Sequence, residues 1–118
     1  MSEPLVFAAV QLSSQADPQP NLDRALALVA EAARRGARAV LLPENFAYLG
    51  GDEEGKRALA EDLPFGDDRK GELGPIGKRL SEAAKKHGVT LLGGGMPERS
   101  LDPDRPYNSC AVLSLIHI

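Results

Sequence analysis

The chain has 118 residues, 42% of them hydrophobic and 26% charged, which is the make-up of one globular domain with a modest core. A formal net charge of -3, with Lys and Arg scattered rather than massed, excludes the electrostatic footprint of a nucleic-acid binder or of a protein held on an anionic membrane. The single cysteine, Cys110, excludes an internal disulfide, and His87 and His117 lack metal-ligand spacing, so neither a structural metal nor a cofactor is expected.

Residues 5–10, Leu5-Val6-Phe7-Ala8-Ala9-Val10, are a compact apolar run predicted as a strand buried on both faces; Gln11 follows, then a polar loop with Pro18 and Pro20. Over 21–35 the residues Leu22, Ala25, Leu26, Val29 and Ala33 recur as one helical stripe, and Gly36 supplies the stop. Residues 39–42 form an apolar run too short for a helix and closed by Pro43, which reads as a second strand. The opening is therefore β-α-β, a unit built with parallel strands and a right-handed crossover. Residues 50–74, rich in charge and glycine, read as an excursion over the sheet edge with at most a short helix over 56–63.

Pro75 suits the first turn of a second helix, whose apolar face is Ile76, Leu80, Ala83 and Ala84 and whose basic end, Lys85-Lys86-His87, precedes Gly88. Residues 89–92 make a third strand, Gly93-Gly94-Gly95 lets the chain turn or approach another backbone closely, and Met96-Pro97-Glu98 opens a loop. Past the turn-prone Asp102-Pro103-Asp104-Arg105-Pro106, residues 107–113 form a fourth strand. No repeat or linker divides the chain. No apolar run approaches a membrane span, and the N-terminus lacks the basic and long apolar regions of a signal peptide, so a cytoplasmic location is expected.

Glu44 stands out for chemistry. It lies two residues past the second strand, and ligand sites in α/β sheets gather beyond the carboxyl ends of strands; its plain alternative is a solvated loop carboxylate. Phe46 and Tyr48 are candidates to line a substrate cavity, the alternative for each being core packing. Asn108 is a further candidate, either at the site or satisfying a neighbouring backbone group. Glu98, after Pro97, reads as a solvated loop carboxylate, the alternative being an approach to the same pocket as Glu44, and Cys110 reads as a packing residue inside an apolar strand. No Lys-Ser/Thr pair follows the glycine triplet, which argues against a phosphate cradle.

Taken together, the early strand ending in Gln11, the loop Leu42-Pro43-Glu44-Asn45-Phe46, Gly93-Gly94-Gly95-Met96-Pro97-Glu98 and Tyr107-Asn108-Ser109 resemble, over about 5–112, the N-terminal part of the nitrilase superfamily of carbon-nitrogen hydrolases. Tyr48-Leu49-Gly50 after the Leu-Pro-Glu-Asn-Phe motif looks most like the branch that hydrolyses small ω-amides such as deaminated glutathione. The resemblance implies an α/β fold, a four-layered α-β-β-α sandwich present here as an N-terminal β-α-β-α-β-β portion. It also implies a Glu-Lys-Cys set acting on a small amide, and a homo-oligomer when the domain is whole. Glu44 matches the family's general base, with Phe46, Tyr48 and Asn108 as candidate substrate-binding residues. A carboxylate in a partly dehydrated pocket can take a thiol proton near neutral pH, and the thiolate then attacks the amide carbon.

The family's lysine follows the Tyr-Asn-Ser strand and its cysteine comes later still. None of Lys56, Lys70, Lys78, Lys85 or Lys86 lies in a matching position, and Cys110 does not match the nucleophile. The chain alone is therefore expected to be inactive, marginally stable and prone to aggregate. Residues 113–118 look like a foreign tail, such as translated adapter or vector sequence appended to a truncated gene; a longer final strand is the alternative. Two rival readings stand beside the hydrolase: a non-catalytic module that binds a small molecule or a partner, and a doubly wound nucleotide or flavodoxin-like domain with strictly parallel strands.

Overall fold

The computed structural model describes residues 5–49, 51–63 and 72–114. Gly50, Lys70, His117 and most of the predicted tail lie outside them. The elements run β1 (Phe7–Ala9), α1 (Pro18–Arg34), β2 (Ala39–Leu42), α2 (Glu53–Ala58), α3 (Pro75–His87), β3 (Thr90–Glu98) and β4 (Tyr107–Leu113). The strands form one sheet in the order β1-β2-β3-β4; β2 is parallel to both β1 and β3, and β4 is antiparallel to β3. That closing hairpin does not fit the strictly parallel, doubly wound reading.

Helix α1 starts earlier than its apolar stripe predicts because Asp17 caps it, accepting from the Gln19 N–H at 3.2 Å, and Pro18 is tolerated in a first turn. After the C-cap Arg35, Gly36 takes φ +92, a left-handed value that favours glycine. Helix α3 has no side-chain cap of its own at Gly74. Its first turn is satisfied from a distance by Glu61, whose carboxylate accepts from the Ile76 and Gly77 N–H groups, each at 2.9 Å. A Cβ at Gly74 would sit 2.5 Å from Glu61 Cδ, so glycine there makes room for the cap. The buried carboxylate also faces the positive end of the helix dipole, and Glu61→Ala is expected to cost about 1–2 kcal/mol, read as a lower urea midpoint.

Both long helices cover the same face of the sheet. Leu22, Ala25 and Val29 of α1 and Ile76, Leu80 and Ala84 of α3 close over Val40, Leu42, Leu91 and Leu113. The opposite face is open. Ala9, Leu41, Leu92 and Val112 lie in register across it, and Leu41, Val112 and Phe7 are 47%, 58% and 67% exposed. The prediction of a first strand buried on both faces is thus corrected: β1 is one of the two edge strands of the described sheet, and one of its faces belongs to this uncovered side.

The third strand is also longer than expected. Gly93-Gly94-Gly95 does not turn the chain; it lies within β3, and a bulge between Gly93 and Met96 puts one extra residue opposite β4. The triplet serves close approach instead, but to side chains. A Cβ at Gly94 would lie 2.6 Å from Cys110 Sγ, and one at Gly95 would collide with the Asn108 carboxamide. Among the described residues, no helix is long and apolar enough to cross a membrane.

Candidate active site

The site is built on the loop that follows β2. Leu42 is anchored in the core, and Pro43 and Glu44 then carry the chain past the strand's carboxyl end. Asn45 adopts φ 56, a left-handed conformation that asparagine tolerates better than most residues, and its N–H donates to the Gly95 carbonyl of β3 at 3.0 Å. The Ser14 hydroxyl donates to the Phe46 carbonyl at 2.7 Å. The buried Asn21 carboxamide donates to the carbonyls of Gln15 (2.6 Å) and Ala47 (2.9 Å) and accepts from the Gln15 N–H (2.9 Å). Two loops, one after β1 and one after β2, are so tied to each other and to β3, and Glu44 stands on a fixed backbone.

Across the sheet, Asn108 of β4 donates from Nδ2 to Glu44 Oε1 at 2.9 Å. The alternation of β4 turns Ser109, Ala111 and Leu113 toward the helices and leaves Asn108, Cys110 and Val112 on the open face. Glu44 and Asn108 therefore meet on that face, and both are solvent exposed. This part of the fold supplies the carboxylate's position and a hydrogen bond, but not its enclosure.

Phe46 and Tyr48 are placed differently. The Phe46 ring is fully buried in the core, beneath the loop. The Tyr48 hydroxyl donates to the Asp52 carbonyl at 3.2 Å, and its ring covers Gly51 and Gly55, beside a concavity of about 120 Å³ lined also by Asn45 and Lys56. The structure brings Glu44 and Asn108 together and leaves the two aromatic rings under and beside them.

Two other expectations are corrected. Cys110 is exposed rather than packed, because its strand is apolar on both faces while only one face is covered. Glu98 is buried rather than solvated: β3 runs through it to pair with Tyr107, Glu61 bridges it from the other side, and the Ser109 hydroxyl donates to its Oε1 at 2.7 Å. The sequence reading missed Ser14, Asn21, Asn45, Glu61 and the packing role of Gly95. A signal existed for Asn21, a polar residue four positions before Ala25 on the apolar stripe of α1. For Glu61 none did, since its partners are 15 and 16 residues away.

Comparison with known proteins places this arrangement. The model of the family described as carbon-nitrogen hydrolase matches residues 7–115. The chain belongs to the carbon-nitrogen hydrolase family. Among the curated relatives, the chloroplastic omega-amidase of Arabidopsis thaliana is 38% identical over 104 residues, covering 86% of this chain and 26% of that protein. Omega-amidase NIT2 of Danio rerio is 41% identical over 106 residues, covering 90% of this chain and 34% of its own length. The chain thus spans about a quarter to a third of the length of the curated hydrolases it matches. Among solved structures, Nit3 of Saccharomyces cerevisiae, described as a member of branch 10 of the nitrilase superfamily, superposes with a TM-score of 0.75 at 26% identity, covering 92% of this chain and 39% of that one. The C. elegans NitFhit protein gives a TM-score of 0.76 at 22% identity over 95% of this chain and 25% of its own, a likeness of fold. The nitrilase-like α/β architecture expected from the sequence is therefore present as an N-terminal portion of the family's domain.

Proposed function

We propose that this chain is the base-bearing portion of an amidase that hydrolyses small ω-amides, with Glu44 as the general base. The observation that carries the reading is the placement of Glu44: just past the carboxyl end of β2, on a loop tied to the loop after β1, to α1 and to β3, with one carboxylate oxygen held by Asn108. The names of the omega-amidase relatives support the substrate class. Asn108 and Tyr48 flank the substrate in this reading, and Phe46 supports the floor from below.

The reaction, as the family resemblance implies it, divides between Glu44 and a lysine and a cysteine for which this chain has no matching positions. Glu44 takes the proton of a cysteine thiol, and the sulfur attacks the amide carbon while a lysine steadies the developing oxyanion. The C–N bond breaks, the proton held by Glu44 goes to the leaving nitrogen, and ammonia departs from a thioester. Glu44 then takes a proton from water, the hydroxide cleaves the C–S bond, and the proton returns to sulfur as the acid leaves. On this reading the 118-residue chain has no turnover of its own.

The test is ammonia release from an ω-amide of a small dicarboxylic acid, measured for this chain and for a longer chain in which residues 1–112 are completed to the length of the omega-amidase relatives with the lysine- and cysteine-bearing part of such a relative. Turnover by the longer chain alone is the expected result. A longer chain that folds but hydrolyses no small amide overturns the reading.

A further inference from the structure

Asn108 and Glu44 are not on neighbouring strands. Asn108 belongs to β4 and Glu44 follows β2, so β3 lies between them, and their 2.9 Å hydrogen bond must pass over it. The crossing point is Gly95. A Cβ there would fall within the Asn108 carboxamide, less than the contact distance from Oδ1 and 2.9 Å from Cγ. The same residue's carbonyl accepts from the N–H of Asn45, the residue next to Glu44. One position of β3 thus fixes the backbone beside the carboxylate and, by having no side chain, leaves the path along which the amide reaches it. The bulge at Gly93/Met96 sets this register, placing Pro97 opposite Asn108 and Met96 opposite Ser109.

We infer that Asn108 is the positioning residue of the general base and that Gly95 is a glycine to let it act. Asn108 is fixed on Glu44 Oε1, which leaves Oε2 as the oxygen that exchanges protons with the thiol and with water. An asparagine suits this task. It donates a hydrogen bond to a carboxylate without bringing a charge of its own into the site. The inference rests on Glu44 being the base, as proposed above.

Two kinds of variant test it in the extended enzyme. Asn108→Ala removes the donor, and Asn108→Asp keeps the shape while replacing the donor by a second carboxylate. Gly95→Ala leaves Asn108 in the sequence but fills its path. Each is expected to lower kcat by about 10²-fold with KM nearly unchanged, the scale of a reacting group misplaced by about 1 Å. Asn108→Asp separates positioning from simple space filling, since a space-filling role tolerates it. A readout independent of turnover is the Asn108 side-chain amide resonance in the ¹⁵N spectrum of this chain, expected to shift in Glu44→Gln and in Gly95→Ala. Wild-type kcat in Asn108→Asp, or an Asn108 resonance unmoved by Glu44→Gln, overturns the inference. Glu44→Gln serves as the control: full activity in that variant defeats the reading of Glu44 as base, whereas an inactive Glu44→Gln beside a fully active Asn108→Asp defeats only the positioning role.

Discussion

Glu44→Gln, placed in a chain carried on to the length of the omega-amidase relatives, is expected to lower kcat/KM for a small ω-amide by about 10²- to 10⁴-fold, the range that general acid-base groups contribute. Glutamine keeps the size of the side chain and an acceptor for the Asn108 amide, so the loop and its bonds to Ser14, Asn21 and Gly95 have no reason to move. What is lost is the capacity to accept a proton. The effect should fall on kcat and kcat/KM together, with thermal stability unchanged, because the interaction removed is made with the reacting atoms. Activity within a few-fold of wild type would assign the base elsewhere.

Phe46→Ala is expected to have the largest effect on stability, about 3–5 kcal/mol, the usual cost of emptying a fully buried phenylalanine site. Whole domains of this size are stable by only about 5–15 kcal/mol, so the loss is a large share of what holds the chain folded. It is larger in proportion here because one face of the sheet, including Leu41 and Val112, gains nothing from burial. The site suffers with the core: the Phe46 carbonyl is the acceptor for Ser14, and the ring fills the space beneath the backbone that carries Glu44. Urea denaturation followed by circular dichroism should show a midpoint shift for Phe46→Ala about two to three times that of Glu61→Ala. A cost below about 1 kcal/mol would mean that the ring is not the floor of the loop.

Where short-range patterning decides structure, the sequence was sufficient. The apolar run of β2, the stripe of α3 opened by Pro75 and closed by Gly88, and the Tyr-Asn-Ser start of β4 lie where pattern and caps place them. Long-range pairing was not legible. Glycine triplets usually mark turns, yet Gly93-Gly94-Gly95 stays in a strand because Leu80, Cys110 and Asn108 occupy the space that side chains there would need. That fact exists only once α3 and β4 are packed. Likewise an apolar pattern predicts burial for Cys110 and β1, but coverage is a property of what else is folded against the sheet, and one face here is open. The burial of Glu98 has the same kind of origin, since its partners Glu61 and Ser109 come from elsewhere in the fold. Of the site, the position of Glu44 could be read from strand-end logic, while its link to Asn108 spans 64 residues and has no local signature.

The most direct measurement is intact-mass spectrometry of the extended chain, acid-quenched milliseconds after mixing with a small ω-amide. If Glu44 activates the nucleophile, the wild type gains the mass of the acyl group as a thioester and the Glu44→Gln variant gains none on that timescale. A Glu44→Gln chain that acylates at the wild-type rate would contradict the role of this carboxylate as the base.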